Sequence, residues 1–285
     1  YISKQEENIM VKKLQEILGS GYEITEVTTK KNNYNAHQVS IRKKGDSIAA
    51  LFDYESCKIA PEGVATAYFE AMKKNNALDT YAKKFLDPDW MKEHVYIRLT
   101  SDAKYAENYV HRKTADLYMI PYVQFDEEHM TNIKSIYTET SKITDDEIFL
   151  AAMKNMDKEC VLNSLDDIVS YPLLDKSISD LPNYMEKRKE DDIPMLVVTN
   201  TSKFFGAASI FCERVQNRLD ELFPNGYYLV PSSIHEFIAV DKQILIPESL
   251  KEVIFDMNKN VVEKEEQLSD AAYYFENGIL HKTIL

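Results

Sequence analysis

"YYLVPSSIHEFIAVDKQILIPESLKEVIFDMNKN", Tyr227–Asn260, reads as strand, strand, helix. "YYLVPSS" and "HEFIAV" are short runs rich in β-branched and aromatic residues. Pro247 suits the first turn of a helix that continues to Asn260. If residues 232–240 are extended, successive side chains alternate between faces. Ser233, His235, Phe237 and Ala239 then share one face, and Ser232, Ile234, Glu236, Ile238 and Val240 share the other. Apolar residues on both faces predict a central strand covered on both sides.

Working outward, the same order is expected twice more. "ADLYMIPYVQF" and "NIKSIYTE" pair as a hairpin before the helix "TDDEIFLAAMKNM", within residues 115–156. "MLVVTN" and "GAASIFC" precede the helix "ERVQNRLDELF", within 195–223. Thr144 and Glu147 form a capping box for "TDDEIFLAAMKNM". "HVYIRLT" is a strand, followed by a short helix capped by Ser101 or Asp102. "AAYYFE" and "ILHKTIL" close the chain as a hairpin around Asn277-Gly278. Strand pairs alternating with single helices predict the α+β class, an antiparallel or mixed sheet with helices on one face.

At the other end, residues 4–18 place Ile9, Leu14, Ile17 and Leu18 on one face of an amphipathic helix. "YEITEVTTK", "HQVSIRKK" and "SIAALFDY" follow as a three-stranded meander, turning at "KNNYN" and Gly45-Asp46. Helices follow from Pro61 and through "ALDTYAKKF", and "DPDW" ends the second. Residues 174–193, rich in proline and charge, are expected to be a linker or surface excursion between α+β regions 1–173 and 194–285.

Composition excludes several function classes. The 285 residues are 44% hydrophobic and 28% charged, which is too apolar for disorder. A net charge of −13 opposes a phosphate backbone, so no nucleic-acid partner is expected. "IRKKG", Ile41–Gly45, reads as exposed hairpin positions. Three scattered cysteines, Cys57, Cys160 and Cys212, read as buried free thiols of a cytoplasmic protein. No apolar run approaches the ~20 residues of a membrane helix, so no membrane partner is expected.

No GxGxxG or GxxxxGK[ST] loop occurs, and no cofactor is expected. His235-Glu236 begins an HExxH-like pair, but the second histidine position holds Ala239. No zinc or other metal is therefore expected, the alternative being a fold-assembled site at Asp126, Glu127, Glu128 and His129. The carboxylate pairs Asp145-Asp146 and Asp166-Asp167 open helices, where the dipole accounts for them. Asp191-Asp192 lies in the expected linker.

The remaining chemistry centres on two stretches. Ser233, His235 and Glu236 carry the residue types of a nucleophile, a base and an acid. In an extended strand, however, Ser233 and His235 Cα atoms stand ~6.7 Å apart, and no GxSxG elbow is present. The alternative is that the serines bond to local backbone and His235 satisfies a neighbouring strand. Asn200 and Lys203 in "VTNTSKFFGAASIF", with Ser232, could line a ligand pocket, and Gly206 would let a backbone approach closely.

"VYIRLTSDAKYAENYVHRKTADLYMIPYVQF", "TDDEIFLAAMKNM" and the ordered pattern "TN…GAASI…VPSSIHE" resemble an uncharacterised domain-of-unknown-function family seen mostly in clostridial bacteria. The resemblance spans roughly residues 94–275 and implies kinship without an activity. One departure stands out: Val110 precedes His111 directly, where the family usually carries Pro before His. The expected function is thus non-enzymatic binding of a protein or small-molecule partner through a sheet edge or pocket. The alternatives are a hydrolase-like enzyme using the 232–236 cluster, and an acidic accessory protein of a mobile element or phage that mimics nucleic acid.

Overall fold

The computed structural model describes residues 4–46, 49–73, 76–127, 129–170, 181–186, 195–244 and 247–283. The chain divides into two units, Tyr1–Lys84 and Phe85–Leu285. In the first, helix α1 (Lys4–Leu18) precedes strands β1 (Tyr22–Lys31), β2 (Tyr34–Lys43) and β3 (Ala50–Asp53), then α2 (Tyr54–Ile59), α3 (Pro61–Lys73) and α4 (Asn76–Phe85). The strands form the expected antiparallel meander in the order β1-β2-β3. The β1–β2 ladder runs without slippage from Tyr22↔Lys43 to Lys31↔Tyr34, so the turn is Asn32-Asn33, with Asn33 at φ 62°. Within α1, burial follows a four-residue spacing of Met10, Leu14 and Leu18, whereas Ile9 is 65% exposed and Ile17 38%. These three side chains join Ile24, Val39, Ile41, Tyr54, Cys57, Val64 and Tyr68 in the core of this unit.

The second unit carries α5 (Pro88–His94), β4 (Val95–Thr100), α6 (Ala103–Ala106), β5 (Arg112–Thr114), β6 (Leu117–Gln124), β7 (Met130–Asn132), α7 (Ser135–Ser141) and α8 (Asp145–Met156). It continues with β8 (Cys160–Ser164), α9 (Leu165–Ser170), β9 (Met195–Asn200), a 3₁₀ turn at Gly206–Phe211 and α10 (Glu213–Leu222). Strands β10 (Tyr227–Ser233) and β11 (Glu236–Asp241), α11 (Pro247–Asn260), β12 (Tyr273–Glu276) and β13 (Ile279–Lys282) complete it. All pairings are antiparallel. One sheet runs β13-β12-β10-β11-β9-β8; the other has β6 between β4 and β5, with β7 also on β6.

Strand β11 lies inside the larger sheet, between β10 and β9. Phe237 and Ala239 face a core shared with Val215 and Leu219 of α10. Val240 and Ile238 face a second cluster with Ile254 of α11. Helices therefore cover both faces of this sheet instead of one, because both alternations of its central strands are apolar.

Several local expectations are corrected. "NIKSIYTE" contributes only the end of β7 before α7 begins, since Ile133 and Tyr137, four apart, both bury. "GAASIFC" is a 3₁₀ turn and not a strand, so residues 195–223 lack a second strand. "DPDW" starts helix α5, with Pro88 at its first position and the Asp87 side chain accepting from the Asp89 and Trp90 amides. "CVLNS" supplies the edge strand β8. β8 and β9, on either side of the 174–193 segment, are neighbouring strands of one sheet. Of the 174–193 segment itself, only 181–186 is among the described residues, and Asp191-Asp192 lies outside them.

Local signals with a complete hydrogen-bond logic are realised. Thr144 and Glu147 make both bonds of the capping box on α8. Asn277 and Gly278 take φ 52° and 75°, the two left-handed residues of a tight hairpin between β12 and β13. That hairpin is clasped to the turn before β6. The Tyr273 hydroxyl lies 2.7 Å from both Asp116 Oδ1 and Ser269 Oγ, and Lys282 Nζ donates to Asp116 Oδ2 at 2.6 Å. Burial pushes the Asp116 carboxyl up, but the bonds from Lys282 and Tyr273 outweigh it and hold the group below its ordinary range.

Candidate functional site

The "VPSSIHE" stretch does not stay extended. Strand β10 carries a bulge at Ser232: Pro231 pairs with Phe237 and Ser233 with Glu236. Ile234 and His235 form the hairpin turn, so the alternation expected across 232–240 breaks there and resumes at Glu236. The turn is held by one local and one distant bond. The His235 amide donates to Ser233 Oγ at 3.0 Å, and the Ile234 amide donates to the Glu266 carbonyl at 2.8 Å.

A second loop, between β9 and the 3₁₀ turn, packs on this hairpin. Thr199 Oγ1 donates to the His235 carbonyl at 2.9 Å. Asn200 closes its own loop: its Oδ1 accepts from the Phe204 amide (3.2 Å) and from Ser202 Oγ (3.1 Å), and its Nδ2 donates to the Phe204 carbonyl (2.9 Å). The Phe205 amide donates to His235 Nδ1 at 3.0 Å, and the two rings stack 5.7 Å apart, 10° from parallel. Lys203 and Phe205 adopt left-handed backbone, φ 56° and 53°. For a bulky residue such as Phe that conformation is a genuine outlier.

Gly206 makes this junction possible. A Cβ there would stand 2.3 Å from Thr199 Oγ1 and 2.7 Å from both the Asn200 nitrogen and the His235 carbonyl oxygen. The close approach anticipated at Gly206 is therefore a three-way contact between β9, the 3₁₀ turn and the hairpin.

Chemically, the serine–histidine pair is already committed. Because Nδ1 accepts from an amide, the His235 ring proton sits on Nε2, which faces Glu266 Oε1 at 3.4 Å. A triad histidine needs the reverse, with Nδ1–H on a carboxylate and Nε2 toward the nucleophile. Ser233 Oγ serves the turn, and Glu236 sends its field to Lys203, whose ammonium burial pulls below its ordinary value. Asn200, Lys203, Ser233, His235 and Glu236 thus meet at one end of the β9–β11 pair, held together as a brace, with Ser232 in the bulge beside them. Replacing His235 with Ala strands the Phe205 amide and should cost about 1–3 kcal/mol, while Ser233→Ala should stay within about 1 kcal/mol of wild type. Urea melts check the stabilities. Fluorophosphonate labelling of Ser233 that disappears in folded His235→Ala would show the opposite assignment, a working nucleophile.

What the brace presents is Phe204, 39% exposed, and Phe205, buried. Facing Phe205 is a residue the sequence reading passed over. Arg98, in the middle of β4, sets its guanidinium 3.9 Å over the Phe205 ring and 5.6 Å from that of Tyr105. Its neighbours Ile97 and Leu99 point into the core on the other side of the strand. Tyr122 meets Phe205 edge-on at 5.3 Å, Tyr96 lies 5.9 Å from Tyr122, and Tyr109 lies 5.2 Å from Tyr105. The Tyr96 hydroxyl donates to Glu159 Oε1 at 3.1 Å, and burial followed by the Glu159 charge pushes it up to about 12. Arg98 Nε is shielded from solvent and has no hydrogen-bond partner among the described residues. Burial pulls the guanidinium below its ordinary value, while the surrounding tyrosines and Glu265 favour its charge. The available sequence signal was a lone cation in the middle of the apolar run "VYIRLT".

Elsewhere, the acidic turn resolves as structure: Asp126 Oδ1 accepts from the His129 amide (2.9 Å) and contacts its Nδ1 (2.8 Å), while Glu128 lies outside the described residues. Among the described residues no three His, Cys, Asp or Glu are grouped to hold a metal ion, and no helix is long and apolar enough to cross a membrane. Two of the three early carboxylates of α8 are paired, Asp146 with Arg112 and Glu147 with Lys92. Cys57, Cys160 and Cys212 are buried free thiols, as expected.

The profile of a family of unknown function, DUF5688, matches residues 6–277, a longer span than the resemblance from residue 94 onward. No curated protein and no solved structure matches the chain.

Proposed function

The chain belongs to the DUF5688 family of unknown function, and from that premise we propose that it is a non-enzymatic binding protein for a small organic ligand. The site is the aromatic seam between Phe204–Phe205 and the tyrosines around Arg98. The observation that carries this reading is the strained turn. Left-handed backbone at Lys203 and Phe205 costs roughly 1–3 kcal/mol each and persists only where the surroundings over-determine it. Here Asn200, Ser202, His235 and Gly206 all act to hold it. A conformation maintained at that cost, ending in one half-exposed and one buried phenyl ring, fits a wall positioned for contact with a ligand.

A catalytic reading finds less support, because Ser233 Oγ and His235 Nδ1 already have backbone partners. The test is ligand-observed NMR with a mixture of small aromatic and aliphatic fragments, comparing wild type with Phe204→Ala. Phe204 is exposed enough that its loss should leave the melting temperature within a few degrees. Fragments should bind wild type and lose saturation transfer in the variant. A screen without hits, or hits indifferent to Phe204→Ala, overturns the proposal.

A further inference from the structure

We infer that this seam takes the carboxylate of a small aromatic acid on Arg98, an assignment that rests on the binding reading above. Three observations converge on it. The first is a largely buried charge without a salt bridge among the described residues. Arg98 makes no salt bridge among the described residues, and its Nε is closed off from solvent with no acceptor. A guanidinium remains charged in a protein, and a shielded charged donor without an acceptor is unfavourable. An oxyanion at its edge would supply the missing acceptor, and the fork of Nε and Nη matches the two oxygens of a carboxylate.

The second observation is the surrounding charge. Glu265 acts on Arg98, and Glu159 acts on Tyr96 and Tyr122. One cation among such carboxylates suits a monoanion and disfavours a dianion such as phosphate. The third is the wall material. Tyr105, Tyr109, Tyr122 and Phe205 provide ring faces and edges around the guanidinium, suited to a flat apolar body attached to the acid. Arg98 itself keeps partial exposure, as do Tyr109 and His235.

The probes are benzoate, its neutral counterpart benzyl alcohol, and inorganic phosphate, each titrated into the full chain by calorimetry and ligand-observed NMR. Benzoate should bind at least about tenfold more tightly than benzyl alcohol or phosphate. Arg98→Gln should abolish that preference, and Arg98→Lys should restore part of it. Circular dichroism and thermal melts establish that both variants are folded. Removing a largely buried charge that makes no salt bridge among the described residues should leave the melting temperature unchanged or raised. Equal binding of benzyl alcohol and benzoate, or benzoate binding unchanged in folded Arg98→Gln, overturns the carboxylate assignment while the binding reading stands. Preferred binding of phosphate overturns it in favour of a dianion. If no probe binds but the broader fragments do, only the acid class falls; if neither binds, both proposals fall.

Discussion

Gly206→Ala should destabilise the protein by roughly 3 kcal/mol or more, read as a shift in the urea midpoint at unchanged slope. The cause is space and not backbone conformation. The new methyl would meet Thr199 Oγ1 at 2.3 Å, the Asn200 nitrogen at 2.7 Å and the His235 carbonyl oxygen at 2.7 Å. The first is a side chain that can turn away. The other two are main-chain atoms: Asn200 pairs with Cys160 of β8, and His235 sits in the tight turn between the paired strands β10 and β11. Thr199→Ala in the same background should therefore recover little of the loss. A further consequence follows from the site: separating the 3₁₀ turn from the hairpin should also weaken the Phe205–His235 contact and, with it, fragment binding. A cost under about 1 kcal/mol would show that the junction is slacker than its geometry.

Phe237→Ala should cost about 3–5 kcal/mol, the usual range for deleting a fully buried phenyl group. Phe237 has no exposure and packs edge-on against Tyr273 at 6.1 Å. Its strand is held on both sides, by Pro231 of β10 and by Val198 of β9, so the backbone has little freedom to close the cavity. Phe237→Leu, which keeps most of the volume, should cost less than half as much. A small effect of the alanine variant would mean that this face of β11 is not the core it was taken for. The opposite face offers the control: Ile238 is only half-buried, and Ile238→Ala should cost less than Phe237→Ala.

Much of this architecture was legible from residue order because its causes are local. Period-two alternation around Phe237, the capping box at Thr144 and Glu147, and the Asn277-Gly278 turn each depend on residues a few positions apart. Apolar residues on both alternations of β11 were enough to place it inside a sheet covered on two sides. Where composition and neighbours disagreed, local reading failed. "GAASIF" has the small and branched residues of a strand, yet becomes a 3₁₀ turn because Gly206 must pass against β9 and the hairpin.

The site divides in the same way. Sequence alone singled out Asn200, Gly206, Ser233 and His235 as unusual, and their order gathers them at one end of three adjoining strands. Their roles were decided by tertiary contacts: His235 Nδ1 finds its donor 30 residues away in Phe205, and Ser233 answers only the turn beside it. Arg98 owes everything to packing, since no periodicity indicates that the cation of "VYIRLT" will lie against Phe205 with no hydrogen-bond partner for its Nε among the described residues. A side chain's face follows from its own strand, whereas its electrostatic surroundings depend on which distant elements close over it.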